Sequence, residues 1–434
     1  MWSYFFDPLH AASIWGSILM CLSSSLMGVI VVIRKESLIG ETLSHAALPG
    51  VALGICIGGL LPSLGDLGQL FCQIFFAFIF SCLGTVFLYF MKSSLKVKED
   101  AALCFVLSTF VGAGLFVGSI LQHLHPLWYR ELQLFFYGQA ATMRDIHVGL
   151  YAALALLCLL FVFFAFPILR IALFDKEYAR SVSIPIKKID YMLIVLISLS
   201  VIIGIKAVGI VLMSGMLIAP AIVARAFSHN LKNNFFIAAL VGTLAAALGH
   251  VLSSEMPLWF LKPGEKVFSL PTGPIILLLA VCMSFIALLF GSKQGIVYRF
   301  LALQSFKWQI KEENFIKLFW KKGLHSLYTA EEIKSLGGSY FLVKKIERKG
   351  EIIRLKEGWE LTPKGRKRAQ SIVRVHRLFE LYLSSKLNMS LTDVHDIAEE
   401  MEHHITPEME RELTALLQDP KADPHKQPIP RRPS

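Results

Sequence analysis

The sequence predicts an all-α, multi-pass membrane domain followed by a mainly α soluble region, and three observations carry that prediction. Mean hydropathy is +0.58, with 55% of the 434 residues hydrophobic and only 17% charged; an ordinary soluble domain is about half apolar and about a quarter charged. The charge is unevenly placed: residues 1–300 contain 19 Lys and Arg and 13 Asp and Glu, whereas residues 301–434 contain 24 and 19. Long apolar runs, roughly 18 residues being enough to span a bilayer as a helix, occur only before residue 292.

The candidate spans are 13–33, 42–61, 69–91, 101–121, 148–169, 189–205, 207–224, 235–253 and 273–291. The sixth and seventh are short and meet at Gly204–Gly209, so the count is eight or nine. The first is too long, and too closely followed by others, for a cleaved signal peptide. One alternate set of loops holds twelve Lys and Arg and the other five. Positive residues collect on the cytoplasmic side, which places the tail there and, with nine spans, the N-terminus outside. All seven cysteines lie in apolar stretches without a CxxC pair, so they read as small buried hydrophobes rather than a disulfide or zinc framework.

Polar groups inside spans are functional candidates. Glu41 and His45 stand i,i+4 at the start of the second span, and His250 lies near the end of the eighth, with Glu255 just beyond. They read as a transient metal or proton path, or as interfacial groups hydrogen-bonded to neighbouring helices.

The soluble region begins with a basic, aromatic connector, 292–311, which reads as an amphipathic helix lying on anionic lipid or as a linker. Over 312–363 the order is helix, helix, turn, helix, hairpin. Thr329 and Glu332 form a capping box, Gly337–Gly338 make a turn, and Ser339 caps the next helix, which carries Tyr340, Lys344, Lys345, Arg348 and Lys349. A hairpin around Gly358 completes a winged helix-turn-helix. Its basic helix suits phosphate contacts, although a solvated basic helix has the same spacing.

Over 364–420, His376 and Glu380 are i,i+4 on one helix, and His395, Glu399, Glu402 and His403 share one face of the next. Imidazole with carboxylate suits Mn²⁺, Fe²⁺ and Zn²⁺, although charged residues at these offsets also occur on any solvated helix. Residues 421–434 are Pro-rich and read as disordered. The chain has no G-x-x-x-x-G-K-[ST] phosphate loop, so it is not expected to hydrolyse ATP itself.

Two stretches are more specific. VVIRKESLIGETLSHAALPGVALG (31–54), and VGIVLMSGMLIAPAIVARAFSHN (208–230) followed by GPIILLLAVCMSFIALLFGSKQG (273–295), resemble the permease subunit of ABC importers for zinc, manganese and iron. The likeness covers about 10–295. It implies a permease over 1–291, with Pro220, Arg225 and His229 in the segment that couples to a separate ATPase subunit. It also implies an extracytoplasmic metal-binding protein, and a second permease as homo- or heterodimer partner.

The tail, TPKGRKRAQSIVRVHRLFELYL followed by DVHDIAEEMEHHIT, is similar to metal-dependent repressors of the diphtheria-toxin-repressor class over about 312–430. That likeness implies two ligand groups: His376, Glu380 and His395 in one, and Glu399, Glu402 and His403 in the other, with Glu313 as the first-helix ligand. Glu399 matches the oxygen-rich, manganese-type members, so Mn²⁺ or Fe²⁺ is favoured and Zn²⁺ is acceptable. Three departures stand out: a turn about two residues short, a reading face of Tyr340, Phe341 and Val343, and no SH3-like domain.

The order of permease then repressor resembles the permease–repressor fusions of chlamydial metal transport. It implies a bacterial inner-membrane importer whose cargo ion is also the co-repressor on operator DNA. Cleavage within about 292–312 would then free the tail to the cytoplasm. The alternative is a metal-sensing gate that never touches DNA.

Overall fold

In the computed structural model the chain divides into two compact units, Met1–Tyr298 and Arg299–Ser434. The described residues are 8–61, 63, 65–138, 140, 143–260, 270–291, 295–323, 326–335 and 339–432. Lys262, Lys266, the start of the connector at 292–294 and the Gly337–Gly338 turn lie outside them.

Among the described residues, nine helices are long and apolar enough to cross a membrane. The first is α1 (Pro8–Arg34). The second span is assembled from α2 (Ile39–Ala46) and α3 (Leu48–Leu60), with Pro49 in the first turn of α3. Then come α4 (Gly65–Ser93) and α5 (Glu99–Leu124), a short connecting α6 (Pro126–Tyr137), and α7 (Asp145–Phe174). A six-residue α8 (Lys176–Ser181) leads to α9 (Ile186–Val208), α10 (Ile210–Phe227), α11 (Leu231–Phe260) and α12 (Thr272–Phe290). The short sixth and seventh spans are therefore separate helices. Gly209 divides them at φ +98°, a conformation that other residues adopt only with strain.

Helix α1 lies at the centre, packed against α7, α10 and α11. Its sequence explains the position: Ser13, Ser17, Ser23, Ser24 and Ser25 are all buried, and small side chains let helix backbones approach closely in lipid. Ser23 and Ser25 return their hydroxyls to the carbonyls of Met20 (2.8 Å) and Cys21 (2.6 Å), so these groups need no water. At Gly28 a Cβ would stand 1.8 Å from the Leu217 carbonyl oxygen of α10. Outward faces keep Phe116, Phe163 and Phe164 exposed, as a lipid-facing surface requires.

Ion pairs show that alternate loops gather at opposite ends. Arg34, at the end of α1, meets Asp190, near the start of α9, at 2.6 Å. Asp66, before the third span, pairs with Arg144, before the fifth. These pairings follow the same alternation as the loop charges.

In the second unit, α13 (Ile296–Lys322) is one continuous helix. The expected connector 292–311 and the helix expected from 312 are thus a single element from Ile296 onward. No Gly or Pro interrupts 296–322, so nothing breaks it. Helices α14 (Ala330–Ser335) and α15 (Tyr340–Arg348) follow, then strands β1 (Ile352–Leu355) and β2 (Gly358–Leu361). The strands pair antiparallel with Ile352 opposite Leu361 and Arg354 opposite Trp359, and Tyr328 bridges to Trp359. Glu332 accepts from the Thr329 amide at 3.0 Å and its own amide faces the Thr329 hydroxyl at 3.4 Å, the reciprocal cap. Phe315, Ile316, Phe319, Ile333, Leu342, Val343 and Ile346 form the core. Val343, expected on the reading face, is therefore turned inward, because its i+3 partner Ile346 shares the buried stripe.

Helices α16 (Pro363–Lys386), α17 (Leu391–Met401) and α18 (Pro407–Leu416) complete the unit. Each begins with a hydroxyl cap, Thr362, Ser390 or Thr406. The segment expected to be disordered from 421 instead docks on α16, as far as residue 432. Ile429 is buried, and Ala422 bridges to Pro428. Arg374 donates to the Pro430 carbonyl at 2.8 Å, Gln370 donates to the Arg431 carbonyl at 2.9 Å, and Arg377 donates to the Pro428 carbonyl. A Pro-rich segment lacks amide donors but keeps its carbonyls, and the side chains of α16 satisfy them.

Gly28→Val should abolish the folded permease, because overpacking against a backbone carbonyl leaves no side chain to yield. Phe163→Leu on the lipid face should not. Monodispersity of the two variants in detergent checks this; a monodisperse Gly28→Val would contradict the packing described.

Candidate metal centre

The tail's site is built on helix ends and helical spacing. In α16 the i,i+4 offset brings the His376 Nε2 to 3.1 Å from Glu380 Oε1. From α17, His395 Nδ1 reaches the same Glu380 oxygen at 2.7 Å. The two imidazole rings stand nearly perpendicular with centroids 5.1 Å apart. Among the described residues, His376, Glu380 and His395 form the group whose donor atoms all lie within 4.8 Å of one another. His376 and Glu380 are buried, whereas the His395 side chain is 47% exposed, so the group opens on one side. Two nitrogens and one carboxylate oxygen with an open face fit a first-row divalent ion.

The second expected group is arranged differently. Glu402 and His403 lie on the 3₁₀ turn after α17, and Glu399 is exposed on the last part of that helix. The buried Glu402 carboxylate takes His376 Nδ1 at 2.6 Å and Lys317 Nζ at 2.9 and 3.1 Å. His403 Nδ1 pairs with Glu313 at 2.7 Å, while its buried Nε2 has no hydrogen-bond partner. Lys317 was not apparent as a site residue in the sequence, where it reads as one of several lysines on an amphipathic helix.

The electrostatics follow the contacts. Burial opposes a charged His376, but the hydrogen bonds to Glu380 and Glu402 outweigh it and raise its pKa above the usual imidazole value. Burial would raise the Glu380 carboxyl; the hydrogen bonds from His376 and His395 instead hold it down to about 2.

The helix expected to meet DNA shows two kinds of basic residue. Lys345 and Lys349 are tied to the buried Glu312, the former at 2.8 Å. Burial pushes the Glu312 carboxyl up, but the two lysines hold it below the usual carboxylate range. Lys344 and Arg348 are exposed; Ser339 stands at the N-cap position as expected, but its hydroxyl makes no capping hydrogen bond. Tyr340 and Phe341 are 71% and 75% exposed.

In the membrane unit, Glu41 and His45 fall on α2, and the His45 Nδ1 is buried without a partner. His250 meets Ser13 at 2.9 Å, near the start of α1. Helix α2 follows the other end of α1, roughly 30 Å away by helical rise, so the structure does not bring these expected path residues together. A cavity of about 410 Å³ instead collects Asp66, Gln73, Glu131, Arg144, His147 and Lys206. Most belong to loops and helix ends, which carry no intramembrane signal. Pro220 is buried within α10, while Arg225 and His229 are exposed near its end. His229, Asn230 and Leu231 line a groove with Arg170, Asp175 and Tyr178.

The described residues thus make a multi-pass helical unit followed by a helical unit with a candidate two-histidine, one-carboxylate metal group. Residues 7–291 match the ABC 3 transport family, and residues 362–431 match the iron dependent repressor, metal binding and dimerisation domain. The chain belongs to the ABC 3 transport family, with a repressor-type metal-binding domain at its C-terminal end. It is 32% identical to a probable metal transport system membrane protein of Chlamydia trachomatis, over 99% of this chain and 97% of that one. It is 28% identical to a manganese transport system membrane protein of Bacillus subtilis, over 86% and 84%. The structure of PsaBC from Streptococcus pneumoniae in complex with Fab covers 70% of this chain and 100% of that one, at TM-score 0.58 and 23% identity, and shows the same membrane fold.

Removing a donor should cost metal affinity: His395→Ala and Glu380→Gln are each expected to weaken Mn²⁺ binding by at least about tenfold, since even outer-shell partners of metal ligands cost ~10–100-fold. Binding must also displace the His376 proton. Affinity is therefore expected to fall with acidification, starting above the ~6.5 of a free imidazole. Mn²⁺ titration between about pH 8 and 6 checks the sign, and a flat profile would count against it.

Proposed function

We propose that this chain is the membrane-spanning subunit of an ATP-driven importer of a divalent transition metal, and that its C-terminal unit is a transcriptional repressor responsive to the same ion. One observation carries the reading. A permease-family unit and a repressor-type metal-binding unit share one chain, and the second presents His376, Glu380 and His395 as a convergent donor set. Mn²⁺ and Fe²⁺ are the favoured ions and Zn²⁺ is acceptable, in keeping with mixed nitrogen and oxygen donors.

The loop charges and their alternation favour an inner-membrane permease with the tail in the cytoplasm. The groove by His229 and Asp175 then opens on the cytoplasmic side, where a separate ATPase would couple through the Pro220–Asn230 segment. The cavity by Asp66, Glu131 and Lys206 opens on the other side, where a metal-binding protein would deliver cargo. A second permease subunit would complete the pathway.

In the tail, metal binding draws α16 and α17 together through one ion. Glu312 and Glu313, adjacent on α13, link the sensor to the reader: Glu313 pairs with His403, and Glu312 with Lys345 and Lys349 of α15. Metal favours the arrangement in which these contacts are made, and two such units would set two α15 helices at half-site spacing. Lys344 and Arg348 remain available for phosphates. The scheme divides the chain at about 291 and 363, with release of the tail by cleavage in 292–312 as its regulatory step.

Tyr340 and Phe341 favour a second reading, a metal-sensing gate without DNA, because exposed aromatics replace the hydrogen-bonding side chains that read base edges. Footprinting separates the two. The repressor reading expects metal-dependent protection of an operator, and a Lys344→Ala/Arg348→Ala variant that binds more weakly on every sequence with a shallower salt dependence. The absence of any protected sequence, with metal uptake altered by deletion of the tail, would establish the gate.

A further inference from the structure

The two groups expected to hold metal differ in one respect: the second already contains a cation. Lys317 Nζ lies 2.9 and 3.1 Å from the two oxygens of Glu402 and 3.2 Å from His376 Nδ1. The side chains of Lys317 and Glu402 are 8% and 1% exposed. Of the other members, His403 keeps a buried Nε2 without a hydrogen-bond partner near the carboxylate, and Glu399 is exposed. That nitrogen is 3.7 Å from Glu402 Oε1, and the His403 Nδ1 is engaged by Glu313.

We propose that Lys317 is a tethered, resident cation that occupies the Glu402 position in place of a metal ion, so that the tail carries one exchangeable metal site, His376–Glu380–His395, and not two. This rests on the metal-sensing reading of the tail and narrows it. The chemistry supports it in three ways. An ammonium has three donors and no lone pair, so Lys317 cannot join a metal's ligand set. Both Glu402 oxygens are in contact with it, and a divalent ion brought to them would meet a like charge at contact distance in a buried setting, where screening is weak. Expelling Lys317 would leave a buried ammonium without its partner, which is costly.

The same contact serves the remaining site. Held by Lys317, the Glu402 carboxylate accepts from His376 Nδ1 at 2.6 Å. That fixes the imidazole so that Nε2 faces Glu380 and His395. Outer partners of this kind orient a ligating histidine. In this chain the support is built in and needs no second ion, so one-site metal binding without cooperativity follows.

The test counts ions on the full-length chain in detergent. The protein is stripped with chelator and titrated with Mn²⁺, free Mn²⁺ being read by electron paramagnetic resonance. Comparing variants with wild type cancels any ion held by the membrane unit. His395→Ala should remove one ion per chain, His403→Ala and Glu399→Ala none, and Lys317→Glu, which replaces the cation with a further carboxylate, should add one. Loss of an ion in Glu399→Ala or His403→Ala would overturn the proposal while leaving metal sensing intact. If no substitution of His395, Glu399 or His403 changes the count, the metal-sensing reading fails and the proposal with it. Glu399 is exposed, so its variant keeps the test decisive if Lys317→Glu does not fold.

Discussion

The second unit depends on how α13 disposes of buried charge. Glu312 and Lys317 are buried and Glu313 nearly so, and an unpaired buried charge is costly enough to unfold a domain of this size. Each is met by a different part of the unit. Glu312 takes Lys345 and Lys349 from the expected DNA-reading helix, Glu313 takes His403 and Arg368, and Lys317 takes Glu402. Arg368 carries the chain of charges on to Glu351, beside the wing. One helix thus ties reader, wing and sensor through ionic contacts, on top of the apolar cluster of Phe315, Ile316 and Phe319. The residues that pair with the candidate metal region and with α15 are neighbours on α13.

The membrane unit meets the same requirement with neutral groups. Three of the buried serines of α1 are satisfied within the bundle: Ser23 and Ser25 bond back to their own helix, and Ser13 holds the Ala140 carbonyl and meets His250. They make α1 slim enough to stand among α7, α10 and α11. Charged side chains stay near helix ends, as the pairs Arg34–Asp190 and Arg144–Asp66 show, and the polar cavity lies at one such end. His250 meets Ser13 at the end of α1 where α2 does not lie, whereas the His45 Nδ1 is buried without a hydrogen-bond partner.

Much of this was legible in the chain. Spans follow from run length and composition, and the start of α14 follows from Thr329, because caps act within one turn. The i,i+4 spacing of His376 and Glu380 is enough to pair them, since a helix sets that distance. Misreadings arose where a partner remote in sequence decides. Val343 is buried by its place against the rest of the cluster. The 421–432 segment is ordered by arginines some fifty residues earlier. The connector takes the helical one of its two expected forms, because no Gly or Pro interrupts it.

The sequence by itself determined the division into a membrane and a soluble part, the alternation of the loops, the helix–helix–hairpin order after 312 and the residue types able to bind a metal. These are properties of local composition and periodicity. Only the tertiary structure decided which candidate ligands converge. Glu380 draws His376 and His395 to one oxygen, Glu399 is left outside, and Lys317, 85 residues from Glu402, takes the place beside that carboxylate. The physical reason is that a buried carboxylate must be neutralised by whatever cation the fold brings within reach. Spacing along a helix cannot show what arrives from another helix.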